Sequence, residues 1–167
     1  MTGTDSVRVA RSEDFDALGS LLLASYSKLL AAHYASDLLE IALPFVTRAN
    51  PTLLASGTYY VAESGDVLVG CGGWSMVRPG SGETVQGEAY VRHVATHPDW
   101  LGRGVGRSLL ARCVIDARPI VHTLHCFSTL NAEPFYQACG FETIGPMEVP
   151  MGPTLKFPAV RMRREIG

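Results

Sequence analysis

Leu101-Gly102-Arg103-Gly104-Val105-Gly106-Arg107-Ser108 joins a run with strand character, Glu88 to Thr96, to one in which Val105, Leu109, Leu110, Cys113 and Val114 recur at helical spacing. Glycines at a strand-to-helix junction let main-chain N–H groups approach a ligand, and the helix N-terminus adds positive potential suited to phosphate oxygens. Arg103 and Arg107 add formal charge at the same place. A Gly-rich turn with two solvated arginines is the plain alternative, because short motifs also arise by chance. The strand before and the helix after favour the ligand. Two nucleotide motifs are excluded. A P-loop needs a Lys for the β- and γ-phosphates, and a dinucleotide fold needs G-x-G-x-x-G with an acid about 20 positions on. Here the glycines run G-x-G-x-G, and His122 and its neighbours offer no acid.

Outward from this loop the chain reads as a mixed arrangement. Val7–Ala10 is a strand, and Ser12 with Glu13 and Asp14 supplies a cap and first-turn acids for a helix from Glu13 to about Ala32. Ala35–Arg48 is a second helical stretch that Pro44 should kink or divide, and Asn50 with Pro51 ends it. Thr58–Glu63 and Val67–Val77 read as antiparallel strands joined by Ser64, Gly65 and Asp66, and Arg78–Gly87 as a loop. After the central helix, closed by Pro119, come a strand Ile120–Ser128, a short helix Asn131–Cys139 ended by Gly140, and strands near Phe141–Ile144 and Leu155–Arg163. The order β, α, α, β, β, β, α, β, α, β, β predicts an α+β fold with a mixed sheet of about seven strands rather than a doubly wound one.

Composition narrows the classes. The 167 residues fit one domain, 1–167, with 47% hydrophobic and 18% charged residues to close a single core. A net charge of −2 lacks the basic surface that nucleic acid demands. Charges at Asp16, Lys28, Asp37, Glu40 and Arg48 interrupt every candidate membrane span in the N-terminal half. Met1–Asp16 carries too many charges for the apolar region of a signal peptide, so the expected location is the cytoplasm. Cysteines 71, 113, 126 and 139 form no C-x-x-C pair and are expected to be reduced. His122 and His125 fall on opposite faces of a strand, which argues against a metal.

Two motifs together resemble the GNAT (Gcn5-related) N-acetyltransferases. Val94-Ala95-Thr96-His97-Pro98-Asp99-Trp100 leads into Leu101-Gly102-Arg103-Gly104-Val105-Gly106, which is similar to the family's Q/R-x-x-G-x-G/A loop; Asn131, Phe135, Tyr136, Gly140 and Phe141 follow its N-x-x-x-x-F/L-Y-x-x-x-G-F/Y block. The resemblance covers Thr58–Ile144 well and departs at Leu101, where the family usually carries Gln or Arg. It implies a GNAT-like, mostly antiparallel sheet flanked by helices, acetyl-CoA as co-substrate and transfer of the acetyl group to an amine. It further implies that Val94, Ala95 and Thr96 on a splayed strand pair with the pantetheine arm, with the Val94 N–H available to the thioester oxygen. Leu101 through Ser108 would hold the pyrophosphate, with Arg103 and Arg107 offsetting the departure at Leu101. Asn131 and Phe135 would meet the cofactor, and Tyr136 would protonate the departing thiolate.

Acyl transfer also calls for an unprotonated amine. Glu88 and His93 are the candidate bases on the strand before the loop, placed on opposite faces by its period of two unless a bulge intervenes. The acceptor, a small-molecule or peptide amine, is expected between the two N-terminal helices and a loop near Met147–Pro153, where Tyr26, His33, Tyr34, Asp37, Glu40 and Glu148 are available and the acids would suit a cationic amine. A homodimer is one option for the assembly, which stays open. An acyl-CoA-binding or sensory domain without turnover is the second functional reading; Leu101 favours it, and Tyr136 favours the enzyme.

Overall fold

Seven strands form one sheet in the computed structural model, which describes residues 6–167, so the first five residues of the charged Met1–Asp16 stretch lie outside the described residues. The strands are β1 (Ser6–Val9), β2 (Tyr59–Ser64), β3 (Val67–Ser75), β4 (Glu88–Thr96), β5 (Thr123–Ser128), β6 (Glu142–Met151) and β7 (Leu155–Glu165), in the order β1-β2-β3-β4-β5-β7-β6. Every neighbouring pair is antiparallel except β4–β5. The helices are α1 (Phe15–Leu29), α2 (Ser36–Val46), α3 (Pro51–Leu54), α4 (Val105–Ala117) and α5 (Glu133–Ala138).

Each sheet face is closed by the apolar stripe of a helix. On one face α4 packs Val105, Leu109, Leu110, Cys113 and Val114 against Val69, Ala89, Val91, Leu124 and Met162. Opposite them α1 packs Leu18, Leu21 and Leu22 against Val61, Cys71 and Ala95, and α2 joins Leu39, Ala42 and Val46 to Tyr34 and Phe157. At about 2 kcal/mol for each buried Leu, these stripes fix which side of the sheet each helix covers. All four cysteines are free thiols, and Cys71, Cys113 and Cys126 are buried.

Several elements differ from the sequence expectation for identifiable reasons. The stretch near Met147–Pro153 is strand rather than loop through Met151, because β6 continues past Ile144 and turns Met147, Val149 and Met151 inward while Pro146, Glu148 and Pro150 face out. Prolines are tolerated there because β6 is an edge strand. Pro44 does not divide α2: it sits in the last turn, and the exposed Glu40, whose carbonyl loses its donor, lies at the solvent. Ser12 does not cap α1: a 3-10 turn, Ser12–Asp14, leads into the helix, Asp14 sits at the N-cap with no side-chain bond into the first turn, and its carboxylate instead accepts from the Arg11 N–H at 2.7 Å and from the Arg8 guanidinium at 2.8 Å. α2 stops at Val46 with Thr47 as its C-cap, so Asn50 does not end it; Asn50 instead caps α3, accepting from the Leu53 N–H at 3.1 Å. The short helix expected from Asn131 begins as α5 at Glu133, and Asn131 lies in the preceding 3-10 turn, Leu130–Ala132.

Candidate functional site

The site begins where β4 leaves β5. The two strands pair only through Glu88, Ala89 and Tyr90 opposite Thr123, Leu124 and His125, and from Val91 onward β4 has β3 on one side and no strand on the other. A bulge marks the divergence. The β3–β4 register steps from Gly73↔Arg92 to Cys71↔Ala95, so His93 and Val94 together face Gly72, and His93 has φ of 45°. Such a bulge bends its strand and increases the local twist. The His93 carbonyl is held in place by the Tyr59 hydroxyl at 2.9 Å and the Cys71 thiol at 3.4 Å.

A cavity of about 530 Å³ fills the opening, within the range usual for ligand sites. Val94, Ala95 and Thr96 form one wall. Leu101, Gly102, Gly104, Val105, Gly106 and Arg107 form the rim. Asn131, Phe135 and Tyr136 stand opposite, with Thr129 and Ala132 between them. Gly104 is the N-cap of α4 with φ of 81°, a left-handed conformation that glycine adopts without steric cost, and no side chain caps the first N–H groups of the helix. Ser108 and Arg103 are placed otherwise than expected. The Ser108 N–H is taken by the Gly104 carbonyl at 3.0 Å, the Arg103 guanidinium lies 4.7 Å from the centre of the Trp100 ring, and neither residue lines the cavity.

Ser25 and Leu29 of α1, to which the sequence did not point, complete this wall together with Trp100 and with Tyr26, which was expected at the acceptor. The available signal was that Ser25 follows Leu18, Leu21 and Leu22 at helical spacing, which places a serine on the buried stripe of α1. Ser25 Oγ and Asn131 Oδ1 are buried and have no protein partner, a state that costs roughly 1–3 kcal/mol per group. Two orphaned polar atoms in an otherwise largely apolar cavity, together with uncapped helix N–H groups at its rim, fit a long ligand with amide groups along its length and an anionic end.

A second cavity of about 150 Å³ opens on the same side as α2 and shares Tyr26, Val94, Thr129, Ala132 and Tyr136 with the first. Its own walls include Arg92, His93, Phe127, Val149, Met151 and Phe157. Tyr136 therefore stands on the boundary of both. Burial pushes its phenol well above the ordinary tyrosine range, so it keeps its proton at neutral pH; Tyr26 is raised for the same reason. Burial, and secondarily the charge of Arg92, pull the His93 imidazole down to about 4.

The remaining expectations need correction. Glu88 lines neither cavity: at the far end of β4, before the bulge, its carboxylate is bound to His125 Nε2. The acids proposed to surround a cationic amine do not do so, because Asp37, Glu40 and Glu148 are exposed and line neither cavity, and His33 is likewise exposed. Tyr34 is a structural tie, donating to the Pro158 carbonyl at 2.6 Å and accepting from the Leu130 N–H at 2.9 Å. Of that group only Tyr26 reaches the site.

A splayed β4–β5 pair, a glycine loop opening a helix at the splay and a tyrosine at its far side define an acetyltransferase architecture. The family model for the acetyltransferase (GNAT) domain matches residues 55–143, more than half of the chain, and the chain belongs to that family. No curated protein sequence matches it. Among solved structures, a GCN5-related N-acetyltransferase of Rhodopseudomonas palustris superposes with a TM-score of 0.76 at 20% identity, covering 99% of this chain and 98% of that one. The PaiA N-acetyltransferase of Thermoplasma acidophilum, crystallised with coenzyme A, gives 0.69 at 15% identity over 96% and 98% of the two chains. A ribosomal-protein-alanine N-acetyltransferase of Brucella melitensis gives 0.65 at 22% identity over 96% and 99%. These likenesses establish the shared fold. Among the described residues no helix is long and apolar enough to cross a membrane.

Proposed function

We propose that the chain is an acetyl-CoA-dependent N-acetyltransferase that passes the acetyl group directly to a primary amine. The observation that carries this reading is the meeting of two cavities at Val94 and Tyr136, one suited to a long anionic donor and the other to a small acceptor. Their shared boundary brings thioester and amine together without a covalent enzyme intermediate, and positioning of this kind supplies much of the rate in two-substrate reactions.

In this reading the uncapped N–H groups of α4 and the Arg107 side chain hold the pyrophosphate, and the open edge of β4 pairs with the pantetheine amides. Asn131 Oδ1 and Ser25 Oγ gain the partners they lack in the free protein. The Val94 N–H stabilises the oxyanion as the amine nitrogen bonds to the carbonyl carbon. The C–S bond then breaks, Tyr136 gives its proton to the thiolate, and the proton lost by the amine returns to the phenol through solvent. His93, neutral at physiological pH, can accept a hydrogen bond from the incoming amine but stores no proton there. Incubating purified protein with acetyl-CoA and a panel of amines while following free CoA thiol tests the reading. Release of thiol with matching N-acetyl product supports it, whereas tight CoA binding without release across the panel supports the sensory alternative.

A further inference from the structure

Burying a guanidinium is costly unless a carboxylate or several acceptors meet it. Arg8 and Arg112 follow that rule, with Arg8 on Asp14 and Glu63 and Arg112 on Asp116, all at 2.8 Å. Three arginines beside the second cavity do not. Arg92, half-buried on its wall, donates to the Ser75 hydroxyl at 2.9 Å and to no carboxylate. Arg78 lies over the ring of Phe127, 5.3 Å from its centre. Arg161 is directly opposite Phe127 in the β5–β7 ladder, hence on the same sheet face, and its Nε–H is buried without a partner. None of the three forms an ion pair among the described residues. Glu88 and Glu165 share that face but are taken by His125 and Thr123.

Arg78 and Arg161 flank the Phe127 ring, Arg92 lines the same cavity as that ring, and the rest of the cavity is largely apolar, with Val149, Met151 and Phe157 prominent. Such a site repels a second positive charge and favours an acid group, which arginine grips with two parallel N–H bonds. Arg92 and Val94 line the same cavity on either side of His93, so an acid held at Arg92 lies a few bonds from an amine at the boundary that Val94 marks. A volume of about 150 Å³ suits a small molecule.

We infer that the second cavity takes an amino acid with an apolar side chain, its carboxylate held by Arg92 with Arg78 and Arg161 flanking, and its body against Phe127 and Phe157. That this ligand is the acetyl acceptor rests on the transfer reading above. Calorimetry on the CoA-loaded protein with phenylalanine, leucine and methionine, each beside its own amide, isolates the carboxylate. At least one acid is expected to bind tenfold or more tighter than its amide, and Arg92→Gln to erase the difference while leaving CoA affinity as a measure of correct folding. Equal binding of acid and amide, tighter binding of the amide, or no binding of any of the six by the wild type overturns the inference. So does a preference for the acid that survives an Arg92→Gln/Arg161→Gln double variant of normal CoA affinity. A preference for the acid without thiol release from acetyl-CoA keeps the ligand assignment and removes the transfer reading instead.

Discussion

The two cavities share five residues but are made from different material. The larger one is built chiefly from consecutive stretches, Val94–Thr96, Trp100–Arg107 and Thr129–Tyr136, and much of what it offers is main chain: an open strand edge and the uncapped start of a helix. Side chains of residues remote in sequence make the smaller one, with Tyr26, Arg92, Phe127, Val149 and Phe157 arriving from five different elements. Backbone groups survive most substitutions, so the first design keeps a common donor. Single replacements reshape the second, which lets the acceptor vary while the fold and the donor stay constant.

The sharpest break in that comparison is Gly106→Val. Gly106 has no left-handed backbone to strain, yet a Cβ there would come within 2.9 Å of Phe135 Cζ, and the added branches would enter the cavity at the rim. CoA affinity should fall at least about 100-fold in a variant that keeps its circular dichroism. Unchanged affinity by calorimetry would remove the loop from the site. Next comes Tyr136→Phe, which keeps the ring against Phe135 and Phe141 and deletes only the proton donor. The expected loss is about 100-fold in kcat with little change in CoA binding. If kcat is preserved where chemistry limits the rate, the proton comes from elsewhere, and Tyr26 is the other phenol on that boundary.

Smaller effects sharpen the contrast. Asn131→Ala removes an acceptor orphaned in the free protein, so CoA should bind about 10-fold more weakly while the apo protein melts no lower than wild type. A lower apo melting temperature would make Asn131 a structural residue. Least affected should be His93→Asn, a residue that also tolerates the left-handed backbone at this position. With the imidazole held near 4, its protonation falls below the physiological range and kcat/KM should show no inflection near 6.5, rising instead only as the amine loses its proton. A change of more than about threefold in rate, or an inflection that disappears in the variant, would make His93 the base.

What could be read from the sequence follows the same division. The loop and its helix were legible because local chemistry dictates them, through glycines at a junction and apolar residues at helical spacing; Tyr136 was marked by the family resemblance, through the aromatic pair before Gly140. The bulge was not, since nothing in Tyr90-Val91-Arg92-His93-Val94 interrupts a strand pattern; Tyr59 and Cys71, far away in sequence, clamp the His93 carbonyl. Without it Glu88 and His93 seemed equal candidates. The continuation of β6 beyond Ile144 was hidden by its own Gly145, Pro146 and Pro150, residues that read as a turn until their position on an open edge is known. The acids of α2 drew attention but line neither cavity, whereas the arginines proposed for the acceptor wall, Arg92 on β4, Arg161 on β7 and Arg78 in the loop after β3, meet only in three dimensions.

The outer strand has a further consequence for life in a crowded solution. β6 ends the sheet, and an unpaired edge invites another chain to extend it. Pro146 and Pro150 share one phase of the strand, opposite Val160 and Lys156, while Met147, Val149 and Met151 occupy the inward phase. With the ladder to β7 intact, that outward phase is where main-chain donors would meet an incoming strand, and proline has none to give. The same hairpin that walls the smaller cavity thus stops the sheet from recruiting its neighbours, so replacing both prolines with threonine should leave a ligand-competent protein that aggregates on concentration.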